Sequence, residues 1–260
     1  MATIINGLFS GGLDAPQIAK VGQYAENVYF GKPCGLMDQM ASAEGGLVAI
    51  DFADPNQPVI KPVRFDFSAC GHALCIIDTH ASHADLTEEY ASVPAEMKAV
   101  AAQFGCEVLS QVPQERFYAE IPALRRNCGD RAVLRAIHFY EENDRVTAQV
   151  SALERGDFDA FLQLVKESGR SSFMYLQNVI VSGSAAHQDV ALVLALCDKL
   201  LAGRGAFRVH GGGFAGTVQA FVPVELLGEF RLGIEQVLGQ GSCHVLSIRP
   251  EGGTEMEVMK

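Results

Sequence analysis

The stretch RVHGGGFAGTVQAFV, residues 208 to 222, reads as two strand-forming runs around a glycine-dense bend, and it decides the fold of the second half of the chain. Working outward, AFRVH and TVQAFVP are the paired runs, a helix is expected at 224 to 238, and CHVLSIRP closes the series as another strand. Upstream, HALCIIDT from residue 72 reads as a buried strand, and a long helical stretch runs from there to about residue 203. Strand, helices, strand, strand, helix, strand is the split βαβ, ferredoxin-like order, in which two crossover regions are expected over one face of an antiparallel sheet. Gly211, Gly212, Gly213 and Gly216 lie in the bend, where missing Cβ atoms permit unusual backbone angles and close approach by a ligand or a second loop. A glycine triplet alone marks a turn more often than a phosphate cradle.

The helices are read from spacing. Phe158, Phe161, Leu162 and Val165 share a face before Gly169; Val190, Val193, Leu194, Cys197 and Leu201 share another; Leu226, Leu227, Phe230, Ile234 and Val237 form a third. Around Tyr90, Asp85 and Glu88 have the spacing of a capping box, and Pro94 implies either a kink or a second helix start at Ser92. Nearer the start, residues 15 to 29 form a helix with Ile18, Val21, Ala25 and Val28 on one side, broken by Gly31 and Pro33. Asp38 then sits in a turn or at a helix start. GLVAIDF (46 to 52) and PVIKPVRFDF (58 to 67) read as an antiparallel pair joined through Asp-Pro-Asn at 54 to 56.

With 260 residues, 48% of them hydrophobic, the chain can bury a substantial core. A net charge of −11 argues against a nucleic-acid surface, which relies on an excess of cations to release counterions. The seven cysteines are scattered without a CxxC pair, so neither a disulfide framework nor structural zinc is expected, and a cytoplasmic setting is the default. The opening MATIINGLF has no basic leader region, and no run approaches a membrane span. His80, His83 and Asp85 form a compact cluster, but no fourth ligand can be read beside them, and no metal is assigned.

FGKPCGLMDQMASAEGGLVAIDF, residues 30 to 52, resembles the galactokinases of the GHMP small-molecule kinase superfamily, which carry a Cys-Gly-hydrophobic-Met-Asp-Gln element at the active site. RVHGGGFAGTVQAFV resembles the glycine-rich third motif of that superfamily, and SSFMYLQN, residues 171 to 178, falls between the two in the order the family shows. The resemblance implies an α+β chain: a partial GHMP kinase amino-terminal domain over 1 to 70, then a ferredoxin-like carboxy-terminal domain with extra helices over 71 to 260. The family's GRVNLIGEH segment and Pro-x-Gly-x-Gly-Leu-Ser-Ser phosphate loop have no counterpart before Asp38, so the chain is read as a galactokinase lacking its amino-terminal part.

Several roles follow from the resemblance. Asp38 would be the catalytic carboxylate beside the sugar C1 hydroxyl, Gly35 and Tyr90 would line the galactose, and Gly211, Gly212 and Gly213 would border the nucleotide side. ATP and Mg²⁺ are implied, with the family's activating arginine outside this sequence. Without that arginine and the phosphate loop, negligible turnover is expected from the chain alone. Uncovered strand edges are expected too, closed by a homo-oligomer or by an amino-terminal segment. A noncatalytic sugar-responsive module is the alternative.

Overall fold

The computed structural model describes residues 1–31, 34–54, 57–81 and 86–254. Its elements are α1 (Ala2–Leu8), α2 (Ala15–Tyr24), α3 (Met37–Glu44), β1 (Leu47–Asp51), β2 (Val59–Val63), β3 (His72–Asp78), α4 (Thr87–Ala102), α5 (Gln114–Ala119), α6 (Ile121–Cys128), α7 (Asp130–Glu154), α8 (Phe158–Ser171), α9 (Asp189–Leu201), β4 (Ala206–His210), β5 (Thr217–Pro223), α10 (Leu227–Leu238) and β6 (Cys243–Leu246). They fall into two compact units, Met1–Phe65 with Ile248–Lys260, and Asp66–Ser247.

In the first unit Asp14 starts α2 through a reciprocal cap: Gln17 N–H donates to Asp14 Oδ1 at 2.8 Å, and Asp14 N–H donates to Gln17 Oε1 at 3.0 Å. A π-helical turn, Ala25–Tyr29, extends this helix as the periodicity predicts. The stripe read from spacing is only half covered, with Ile18 and Ala25 partly buried. Val21 and Val28 are exposed, and α2 instead turns Ala19 into a small core with Leu36, Met40, Ile50 and Ile60, while Gly22 lies against the Gln39 side chain. Small residues allow the two helices to approach closely, so the bulkier valines are left outside. β1 and β2 pair antiparallel with Leu47 opposite Val63, as read, and residues near 250 return to this unit. There Gly46 N–H donates to Arg249 O at 2.8 Å, and a Cβ on Gly45 would stand 2.2 Å from Gly252 N.

The second unit holds the four-stranded sheet β4-β5-β3-β6, antiparallel throughout. That is the ferredoxin-like order. Strand alternation divides it into two faces: Cys75, Ile77, Val209, Val218, Ala220 and Val222 join α9 and α10 in the largest core, while Leu74, Ala206 and Phe221 pack with Leu162 and Val165 of α8. Helices therefore cover both faces, where the sequence order suggested one. Each fully buried Val or Phe contributes about 1.5–3 kcal/mol, so the α9–α10 core dominates this unit.

Two local expectations change. α4 runs unbroken through Pro94, so Ser92 does not start a second helix; its hydroxyl donates to Glu89 O at 2.7 Å. Leu86 occupies the N-cap without a side-chain bond, and the Asp85 half of the expected capping box lies outside the described residues. On α10, Val237 is exposed because Phe230 and Ile234 point the helix so that Leu238 meets the core. Among the described residues no helix is long and apolar enough to cross a membrane.

Candidate functional site

The residues singled out by sequence fall into two groups, one in each unit. In the first, Cys34 is fastened by side chains of the preceding helix. Its N–H donates to Asn27 Oδ1 at 2.7 Å, and its carbonyl accepts from Asn27 Nδ2 and Gln23 Nε2, each at 3.3 Å. From the other side Gln39 Nε2 donates to Glu26 Oε1 at 3.0 Å, while the buried Gln39 Oε1 has no partner among the described residues. Sequence reading missed Gln23, Glu26 and Asn27. Their signal was a run of amide and acid side chains spaced three and four apart on a helix facing a loop.

This anchoring presents Gly35 and Asp38 outward. Asp38 is the second residue of α3, where the helix dipole favours a carboxylate, yet it does not cap the helix and bonds to nothing among the described residues. Gly35 is exposed, its φ is outside the left-handed region, and a Cβ there would meet nothing within 4 Å. Neither residue is required by its own surroundings. A free carboxylate beside an open glycine can accept a hydroxyl proton from a ligand that approaches the backbone closely.

In the second unit Tyr90 and the glycine bend come together. Tyr90 hydroxyl donates to Gly213 O at 2.8 Å, its ring packs edge-on to Phe214 at 5.5 Å, and its ring edge would stand 2.8 Å from a Cβ on Gly212. Burial pushes the Tyr90 phenol up, so it remains a donor. Along α4, Tyr90 and Val93 cluster with Leu86 and Phe214, whereas Met97 packs in the separate core around Phe117.

Asn178, the last residue of the SSFMYLQN segment though not singled out within it, holds the bend from its other side. Its amide donates to Gly212 O at 3.1 Å, its backbone carbonyl accepts from Phe214 N–H at 2.5 Å, and a Cβ on Gly213 would lie 2.0 Å from that carbonyl. Phe214 takes φ +57° inside a Gly213–Ala215 bond of 2.6 Å, a strained three-residue turn kept in place by these contacts. Thr79 closes the loop through its hydroxyl on Gly216 O at 2.7 Å. Behind Asn178, the fully buried Arg135 donates to Leu176 O at 3.1 Å and Ser92 Oγ at 2.9 Å, and pairs with Glu96 at 2.9 Å.

The need for glycine at 212 and 213 is met by Tyr90 and Asn178, and the Phe214 and Ala215 amides are bonded within the protein. Those two amides are therefore not offered to a phosphate. Of the histidine cluster, His83 and Asp85 lie outside the described residues; His80 takes φ +58° with its N–H on Asp78 Oδ1 at 2.8 Å.

A buried polar cluster supports the same end of the sheet. Arg208 of β4 pairs with Glu142 at 3.3 Å and with Ser168, and Glu142 also pairs with Arg145. His138 Nδ1 lies 2.8 Å from Ser171 Oγ, and burial lowers its pKa to about 4, against the opposing pull of Glu142.

Comparison with known proteins agrees with this architecture. The model for the GHMP kinase amino-terminal domain matches residues 1–46. Galactokinase of Streptomyces coelicolor is 33% identical over 239 residues, covering 88% of this chain and 56% of that protein. Galactokinase of Mycobacterium tuberculosis is 33% identical over 221 residues, covering 82% and 55%. Among solved structures, Lactococcus lactis galactokinase complexed with galactose matches 98% of this chain and 64% of its own, with a TM-score of 0.74 and 23% identity. Leishmania major mevalonate kinase with R-mevalonate matches 96% and 63%, with a TM-score of 0.60 and 15% identity. The chain spans about half the length of the curated relatives it matches. A GHMP kinase amino-terminal region followed by a ferredoxin-like domain is thus its fold, and over most of its length the chain is similar to galactokinases of the GHMP kinase family.

Proposed function

We propose that this chain supplies the acceptor side of a galactokinase-type phosphotransferase, which moves the γ-phosphate of ATP to the anomeric hydroxyl of galactose in the cytoplasm. The observation that carries this reading is Asp38, exposed and uncommitted at the start of α3, three residues from an open Gly35. Asp38 accepts or orients the hydroxyl proton, and Gly35 lets the sugar approach the backbone. Tyr90 borders the sugar while fixing the bend, and Gly211, Gly212 and Gly213 bound the nucleotide side through shape. Asp38 and Gly35 belong to the first unit, and Tyr90 and the three glycines to the second. Mg²⁺ with ATP supplies charge neutralisation when bound.

The chain alone has negligible turnover on this reading, because an acceptor carboxylate without a preorganised phosphate site lacks the largest stabilising contribution. Its first unit exposes Ile4, Leu8, Phe9, Tyr29 and Phe30, and its two-stranded sheet is open at both edges among the described residues. In the working protein a second copy, or an amino-terminal galactokinase segment, covers them. A coupled ADP assay tests the activity: no galactose-dependent ADP is expected from the chain alone, and ADP formation is expected when an amino-terminal galactokinase segment is added in trans. Restored activity that survives Asp38→Asn would overturn the assignment of Asp38. Light scattering that finds a monomer at all concentrations removes self-association, and galactose-dependent stabilisation with no ADP under any condition favours a noncatalytic sugar-responsive module.

A further inference from the structure

The second unit has a cavity of about 390 Å³ along the outer edge of β4, between the end of α8 and α9. That is within the size range of small-molecule sites. Its walls are apolar: Leu194 and Leu201 come from α9, Phe207 from the strand, and Phe173 and Met174 from the π-helical turn Ser172–Leu176. Phe173 and Met174 remain 44% and 58% exposed, so the mouth of the cavity is itself apolar.

The rim has the opposite charge to the chain as a whole. Lys166, Arg170, Arg204 and Arg208 line it against a single carboxylate, Asp198, in a protein of net charge −11. Two of these cations are already committed: Lys166 donates to Gly203 O at 3.0 Å, and Arg208 is balanced by Glu142. The guanidinium groups of Arg170 and Arg204 bond to nothing among the described residues, and Asp198 neutralises neither. Two unneutralised guanidinium forks over an apolar hollow match a ligand with an apolar body and a planar anionic head, because guanidinium binds carboxylate through paired, parallel hydrogen bonds.

We propose that this cavity is a binding site for a small amphipathic carboxylate, such as a medium-chain fatty acid or an aryl carboxylate, with its tail against Phe173, Met174 and Leu194 and its head on Arg170 and Arg204. Its lining includes neither Asp38 nor Gly35, so its failure leaves the phosphotransferase reading untouched.

Decanoate is the probe, with decanol as the neutral match in shape, titrated into the chain labelled with [¹³C]methyl methionine. The Met174 methyl resonance, assigned with Met174→Leu, is expected to shift on adding decanoate, while that of buried Met40 stays in place. Decanol should bind about tenfold or more weakly, and the double variant Arg170→Glu, Arg204→Glu should lose decanoate by a similar factor, the loss of a charge-assisted pair. Both arginines are exposed, so an unchanged melting temperature shows that the variant remains folded. Equal binding of decanoate and decanol, a silent Met174 resonance, or full decanoate affinity in the folded double variant would each overturn the proposal.

Discussion

The glycine bend and the Asp38 turn were both singled out as site elements, but they differ in what their own surroundings require of them. Around the bend, three successive residues have partners in the same unit: Gly212 meets the Tyr90 ring, Gly213 meets the Asn178 carbonyl, and Phe214 holds a strained angle between them. At the turn, Gly35 meets nothing and Asp38 bonds to nothing among the described residues. A residue its fold already explains tells little about ligands. One that its fold leaves unexplained points outward, so substitutions should divide the two elements into stability effects and activity effects.

The sharpest way to break that division is Gly213→Ala, which combines φ +81° with a Cβ only 2.0 Å from Asn178 O. A loss of about 3 kcal/mol or more is expected from left-handed strain plus displaced backbone, measured by urea unfolding; a variant as stable as the parent would show that the bend is not clamped. Next comes pH. The His138 pKa falls from 6.5 to about 4 in the folded chain, so between those values the unfolded state takes up a proton that the native state refuses. Stability should therefore be fully present above pH 6.5, drop by roughly 2–3 kcal/mol as pH falls toward 4, and level off below. His138→Gln should flatten that slope, and a parent whose melting temperature is level across the window would contradict the burial argument.

A smaller effect belongs to Tyr90→Phe, which keeps the ring against Phe214 but removes the bond to Gly213 O. A cost of about 1 kcal/mol is expected by thermal denaturation, and Tyr90→Ala should cost more through lost packing. The smallest stability change is expected at the turn: Asp38→Asn and Gly35→Ala should each stay within about 0.5 kcal/mol of the parent. Yet Asp38→Asn should lower galactose-dependent ADP formation in the complemented protein by about a hundredfold or more. If Asp38→Asn instead destabilised the chain and left turnover alone, the contrast between the two elements would be reversed.

Sequence by itself determined the order of elements and most of their inward faces. Alternation and helical spacing record which side of a segment avoids water, so β3 to β6 and the Val190–Leu201 face were legible, as was the glycine bend between two strands. It also singled out Asp38 and Gly35 as candidates, because a short motif carries its residues together. Only the tertiary structure decided what each face meets. It left Val21 and Val28 outside while Ala19 packed inward, put α8 on the second face of the sheet, and brought Asn178 and Tyr90, 88 residues apart in number, onto one loop. The physical reason is that hydrophobic pattern is a property of neighbours along the chain. Partnership between polar groups, and the room left for a Cβ, depend on distances between segments that no local spacing records.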